Sequence, residues 1–307
     1  MSETPSRLGR ILRAGRFCVT AEVVPPRSAD AAPVIAQARE LVGYADAVNV
    51  TDNPASTAHM APLAGVAVVA DSGIEPILQL TCRDRNRLAL TADLLGGWAL
   101  GARGVLCLSG DPVARGDHPD AKEVYDLTVL DLVRLAAALR DDGRLLSGAT
   151  IEGPPRYLIG VADLPLAQRY DPARLEAKID AGADFVQTQI VYDVGAFVAW
   201  ADAARSRGVF DRVAVIAGVA PLRSARQARL VASLPGVSVP RDVLRGLAEA
   251  GPDAEEEEGS RLAIGIVNGI REISGLAGVH VMGLGQEVAV RRVVEGAGLL
   301  PRPVAVA

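Results

Sequence analysis

The chain has 307 residues, half of them apolar, and a net charge of −5 with both signs scattered along its length. That is enough apolar material for one large core, and it excludes the basic stripe of a nucleic-acid binder. Aromatic residues make up only 4%, too few for a base-stacking platform.

No apolar run reaches the roughly 18 residues of a membrane span. Residues 1–16 are polar and basic, without an apolar signal core. The sequence therefore predicts a cytoplasmic protein with neither membrane nor nucleic acid as partner. Cys18, Cys82 and Cys107 are odd in number and widely spaced, which is neither a disulfide framework nor a zinc site. His59, His118 and His280 show no ligand spacing, so no metal is expected.

Short runs rich in valine, isoleucine and leucine alternate with longer stretches rich in alanine, leucine and arginine. Strands are predicted at 18–24, 47–50, 76–80, 105–108, 157–161, 185–189, 213–217 and 279–282. Several lack strict alternation, as parallel strands covered on both faces do. Helices are predicted over 31–43 and 86–101, the latter with Leu88, Leu94, Leu95 and Trp98 along one face. Another opens at Asp171-Pro172 and closes at Gly182. Further helices are expected at 224–234 and 286–298, with 241–250 and 260–275 as extra helical material between the last two strands. Glu255–Glu258 reads as a solvated helix start. Eight strands alternating with helices, with no internal linker, give a single (β/α)8 TIM barrel with extra helices between strands seven and eight. An open doubly wound sheet is the other arrangement, which eight strands disfavour. The expected division is an N-terminal extension at 1–16 and a barrel at 17–307.

Active sites of such barrels lie at the C-terminal strand ends. The polar residues there are Glu22; Asn49, Thr51, Asp52 and Asn53; Gln79, Thr81 and Arg83; Ser109 and Asp111; Gln187, Thr188 and Gln189. Each has a plainer reading. Glu22 could pair with Arg27 or a loop arginine, Asp111 is an ordinary turn former before Pro112, and the threonines suit any strand. A carboxylate in a barrel mouth is nevertheless costly unless paired or useful. The stretch GLGQEVA, 283–289, resembles a truncated dinucleotide fingerprint, with Val288 where its third glycine or alanine belongs. A phosphate at that helix end is a weak expectation.

Taken in order, AEVVPPR, DAVNVTDN, EPILQLTCRDRNRLAL, LLGGWALGARGVLCLSGDP, KIDAGADFVQTQIVYD and AGVAPLRSARQA resemble the methylenetetrahydrofolate reductase family. The likeness runs from about 17 to 299. It is nearest to the reductase half of bacterial homocysteine-methyltransferase fusions and to acetogen reductases. It implies an eightfold barrel reducing 5,10-methylenetetrahydrofolate with NADH or NADPH, usually through a non-covalent flavin such as FAD. By position, Glu22 matches the general acid, Asp111 the aspartate beside pterin and flavin, Gln189 a pterin ligand and Thr51 a threonine at the flavin ring. Asn49 and Gln187 join Gln189 on the substrate side; Gln79, Thr81, Ser109 and Val161 join Thr51 on the cofactor side.

The departures fall on the cofactor side. The family's bacterial flavoenzymes have histidine where Gln79 stands and arginine where Ser109 stands. Their Tyr-Pro-Glu and His-Pro after strand five are replaced here by GVADLPLAQRYDP, with Asp163, Leu164 and Pro165. The positive groups facing a flavin diphosphate are mostly absent, with Arg83, Arg85 and Arg169 as the candidates to replace them. Direct hydride transfer from the nicotinamide is favoured over a flavin relay. A pterin-dependent methyltransferase barrel and a partner-dependent reductase subunit are the alternatives from other classes. The oligomeric state stays open.

Overall fold

The computed structural model describes residues 4–251 and 253–303. Eight parallel strands close into a barrel in sequence order. They are β1 (Cys18–Val23), β2 (Ala47–Val50), β3 (Pro76–Thr81), β4 (Gly104–Leu108), β5 (Leu158–Asp163), β6 (Phe185–Ile190), β7 (Ala214–Val219) and β8 (Leu276–Val281). The helices are α1 (Arg7–Arg13), α2 (Ala32–Leu41), α3 (Pro62–Asp71), α4 (Arg87–Ala99), α5 (Val129–Ala137), α6 (Pro172–Asp180), α7 (Val194–Ser206), α8 (Val209–Arg212), α9 (Ala225–Val231), α10 (Arg241–Ala250), α11 (Glu255–Arg271) and α12 (Glu287–Gly296). The extra helices expected before the last strand are α10 and α11. The four glutamates form the first turn of α11, where acids suit the helix dipole.

Side chains alternate between the barrel interior and the helix layer. Cys18, Ala47, Ile77, Leu106, Leu158, Phe185 and Ile216 fill the lower interior together with Leu8, Ile11 and Leu12 of α1. Thus α1 plugs the N-terminal end of the barrel. The Phe185 ring takes the room that Gly160 leaves, since a Cβ there would lie 2.1 Å from it. The capping Ser6 accepts from Gly9 N at 2.9 Å and donates to Glu75 at 2.6 Å, which ties α1 to the foot of β3.

The apolar face of α4 differs from expectation. Leu90, Leu94 and Gly97 are buried, whereas Leu88 is 77% exposed and Leu95 is also outside. The reason is close packing at Gly97, where a Cβ would meet Leu78 at 2.6 Å. The helix turns that smooth side inward, and Trp98 packs edge-on against Tyr157 at 5.4 Å.

Candidate active site

The upper interior changes from apolar to polar within one layer. Thr20, Asn49, Gln187 and His280, on four different strands, form a buried hydrogen-bonded group. Asn49 Nδ2 donates to Gln187 Oε1 at 2.7 Å, Gln187 Nε2 donates to Thr20 Oγ1 at 3.3 Å, and Thr20 Oγ1 meets His280 Nδ1 at 2.9 Å. Burial holds His280 neutral by lowering its pKa to about 3.

Above this floor the strand ends open into two connected hollows. The inner one, about 150 Å³, is lined by Glu22, Asn49, Gln79, Gln187, Gln189 and His280 among others. The outer one, about 550 Å³, takes in Glu22, Thr51, Gln79, Thr81, Ser109, Asp111 and Gln189, together with Arg83 and Lys178. Of the ten residues given catalytic, substrate-side or cofactor-side places from the sequence, all but one therefore line these hollows. The exception is Val161, fully buried in the helix-side core. Its neighbour Ala162 forms the wall, because Leu158, Gly160 and Ala162 take the inward parity of β5.

Glu22 reaches the cavity because β1 places Cys18, Thr20 and Glu22 on its inward side, and Pro25 and Pro26 then stop the strand. Its pKa is raised to about 7, first by burial and then by the nearby Glu287 carboxylate. The expected plainer pairing does not form, as Arg27 binds Asp117 at 2.6 Å instead. Thr51 Oγ1 is buried without a hydrogen-bond partner among the described residues. The Thr81 hydroxyl is committed to Asp52 at 2.9 Å. Gln189 is tied to the loop after α9, donating to Pro235 O at 3.0 Å. Burial raises the thiol pKa of all three cysteines, in keeping with inert core residues.

Two of the three cations proposed as phosphate partners are otherwise engaged. Arg83 grips Asp84 at 2.6 Å. Arg85 is held by Asp52 and Asp93, both at 2.7 Å. Arg169 does not line the cavity. Lys178, which sequence reasoning passed over, lies at the wall but donates to Ala162 O at 2.6 Å. The start of α12 is no better suited to phosphate, because Glu287 occupies its first turn. His280 was also missed as a site residue. The signal was its parity: on β8 it lies two residues before Met282, which lines the mouth just past the strand, and it pairs in register with Thr20.

A closed parallel barrel whose mouth holds acids and amides over a polar floor defines an α/β-barrel protein with a polar cavity at its strand ends. A family model described as methylenetetrahydrofolate reductase matches residues 7–298, and the chain belongs to that family. Methylenetetrahydrofolate reductase 1 of Schizosaccharomyces pombe is 29% identical over 245 residues, 76% of this chain and 37% of the relative. The 5,10-methylenetetrahydrofolate reductase of Escherichia coli is 27% identical over 198 residues, 64% of this chain and 61% of the relative. The chain thus spans little more than a third of the fission-yeast relative. Among solved structures, a Clostridium thermocellum protein described as binding two copies of 5-methyl-5,6,7,8-tetrahydrofolic acid matches with a TM-score of 0.63. It is 15% identical, and the match covers 95% of this chain and 98% of that one.

Proposed function

We propose that this chain reduces 5,10-methylenetetrahydrofolate to 5-methyltetrahydrofolate with NADH or NADPH as hydride donor. The carrying observation is Glu22, a carboxyl in the barrel mouth whose pKa is raised to about 7 by burial. The methylene carbon of the substrate is locked in a ring between two nitrogens. It accepts hydride only as an iminium ion, after N10 has taken a proton and its bond to carbon has broken. A carboxyl that is still protonated near neutral pH can give that proton. Hydride from the dihydronicotinamide then turns the iminium carbon into a methyl group, leaving oxidised nicotinamide. Glu22 regains its proton from solvent through the open mouth. Asp111 would steady the cation or orient the pterin amides, and Gln189 would bind the pterin. The Clostridium protein's ligand, on the same fold, supports a tetrahydropterin in this cavity.

The residues present do not fit a resident flavin dinucleotide. Thr51 Oγ1 has no protein partner and could serve a ring. A tightly kept diphosphate needs free cations or a helix N-terminus. Arg83 and Arg85 are already bound to carboxylates, and α12 opens on an acid. A nicotinamide that arrives and leaves needs no such permanent hold. We therefore infer direct transfer.

The test is nicotinamide oxidation by desalted protein with methylenetetrahydrofolate and no added flavin. Oxidation by protein without a flavin absorbance band supports the direct route. Activity that returns only when flavin is added would mean a relay instead, and no nicotinamide consumption under either condition would point to the methyltransferase class or to a partner-dependent subunit. Glu22→Gln should lower turnover about 10²–10⁴-fold without abolishing folate binding. Wild-type turnover in that variant would remove Glu22 as the acid.

A further inference from the structure

Arg83 is 2% exposed, yet it stands at the wall of the outer hollow. A guanidinium has five N–H donors in a rigid fork. Here every one is spent. Nε and one Nη2 donor hold the two Asp84 oxygens at 2.7 and 2.6 Å. The other Nη2 donor reaches Asn53 O at 3.3 Å. The two Nη1 donors reach Ser56 Oγ at 2.8 Å and Asp111 O at 3.2 Å. Ser56 Oγ in turn donates to Asp111 O at 2.7 Å. One side chain from the loop after β3 thereby fastens the loops after β2 and β4.

Those loops need fastening. Asn53, Ala55 and Ser56 are not glycines, yet they have φ of 45°, 52° and 59°. Left-handed residues of this kind persist only where surrounding contacts hold them. Two of them, Asn53 and Ala55, line the cavity. The β4 loop lies directly on the same arginine. Gly110 has φ 90°, and a Cβ there would come within 2.8 Å of Arg83 Cβ. The Arg83 backbone N–H also donates to Ser109 O at 3.1 Å.

We propose that Arg83 is a positioning residue for the reaction: it acts through Ser56 and the Asp111 backbone to set where the Asp111 carboxylate stands, and it touches neither phosphate nor pterin itself. This rests on the reading that Asp111 serves the reaction. Lysine, a point charge with three donors, cannot replace a five-donor fork spanning three loops.

The experiment is a double-mutant cycle in the full chain. Arg83→Lys should lower kcat about 30–300-fold, the scale expected when a reacting group is displaced by about 1 Å. Added to Asp111→Asn, it should cost less than about 3-fold more, because the two act as one unit. A purely structural arginine would instead multiply the two losses. Ser56→Ala, at a half-buried position, serves where Arg83→Lys fails to fold. It should lower kcat about 3–10-fold and add nothing to Asp111→Asn. Wild-type kcat in either folded single variant, or multiplicative losses, overturns the proposal. A wild-type chain that does not oxidise nicotinamide with methylenetetrahydrofolate defeats the functional reading instead. The clamp is then read by amide hydrogen exchange over 53–56 and 109–111 in Arg83→Lys or Ser56→Ala. At least about tenfold faster exchange supports it, and unchanged exchange overturns it.

Discussion

At the foot of the barrel Asp46 has a fully buried side chain, 2.6 Å from the Arg302 guanidinium and 2.8 Å from the Val19 N–H. At the mouth, one strand away, no cation and no hydrogen bond among the described residues lowers the pKa of Glu22. Both are carboxylic acids held in low-dielectric surroundings, and the partners decide what each can do. Asp46 is surrounded by donors and joins the segments before β1 and after α12, since Arg302 also donates to Phe17 O at 2.9 Å. Glu22 meets burial, and the lesser push of the Glu287 carboxylate, without a compensating partner, so its proton stays on until about neutral pH. A satisfied buried acid builds structure; an unsatisfied one facing a cavity is held ready for a ligand.

The largest way to break this comparison is at the foot. Asp46→Ala would leave Arg302 charged and buried without its partner, at a cost of about 3–5 kcal/mol. Urea unfolding measures it. Activity of the molecules that stay folded should keep its pH dependence. A loss below about 1 kcal/mol would mean that the lower ion pair holds nothing together, and the contrast between the two ends would collapse.

The Glu22 side of this contrast was legible in the sequence; the Asp46–Arg302 side was not, because its two members lie 256 residues apart and meet only in the fold. The strands read correctly because parallel strands covered on both faces are short apolar runs. Glu22, Thr51, Gln79, Thr81 and Gln189 could be picked out as lining the mouth because polar residues at those strand ends break an apolar pattern. Val161 failed because every residue of 158–162 is apolar or glycine, so nothing in the string says which parity faces inward. His280 was hidden for the opposite reason: a lone histidine in an apolar strand reads as core until its register partner Thr20 is known. The engagement of Arg83 and Arg85 could not be read at all. Which acid a loop arginine meets depends on three loops folding together, not on local sequence. The role of α1 as a barrel plug is equally non-local.

A smaller effect is expected at the mouth. Folded Glu22 titrates near 7, above the ordinary 4.5. As pH rises from 4.5 to 7, the unfolded chain ionises this group before the folded one does, and the wild type loses stability. Glu22→Gln has no such group to lose. It should melt higher than wild type at pH 8 and equally at pH 4, by on the order of 1–3 kcal/mol. Thermal melts at the two pH values check this. A variant that is less stable at pH 8 would show that Glu22 is ionised and paired in the folded state.

The finest test separates the two causes of the Glu22 shift. Burial is the larger and Glu287 the smaller. Glu287 opens α12 and is half-buried, with its own pKa raised by burial and then by Glu40 on α2. The other charged groups lining the hollows around Glu22 are Asp52, Arg83, Asp111, Asp163 and Lys178, with neutral His280 below. Glu287→Gln removes one negative neighbour and leaves burial untouched. The Glu22 carboxylate becomes easier to form, so its pKa falls. Because the proposed reaction needs the protonated acid, kcat/KM should decline as pH rises through that pKa. The decline should therefore move to lower pH in Glu287→Gln, by less than about one unit, since burial still dominates. A kcat/KM profile between pH 5 and 9 measures it. A decline that moves upward would mean that Glu287 is a hydrogen-bond partner steadying the Glu22 carboxylate. An unmoved decline would assign the whole shift to the apolar walls of the barrel mouth.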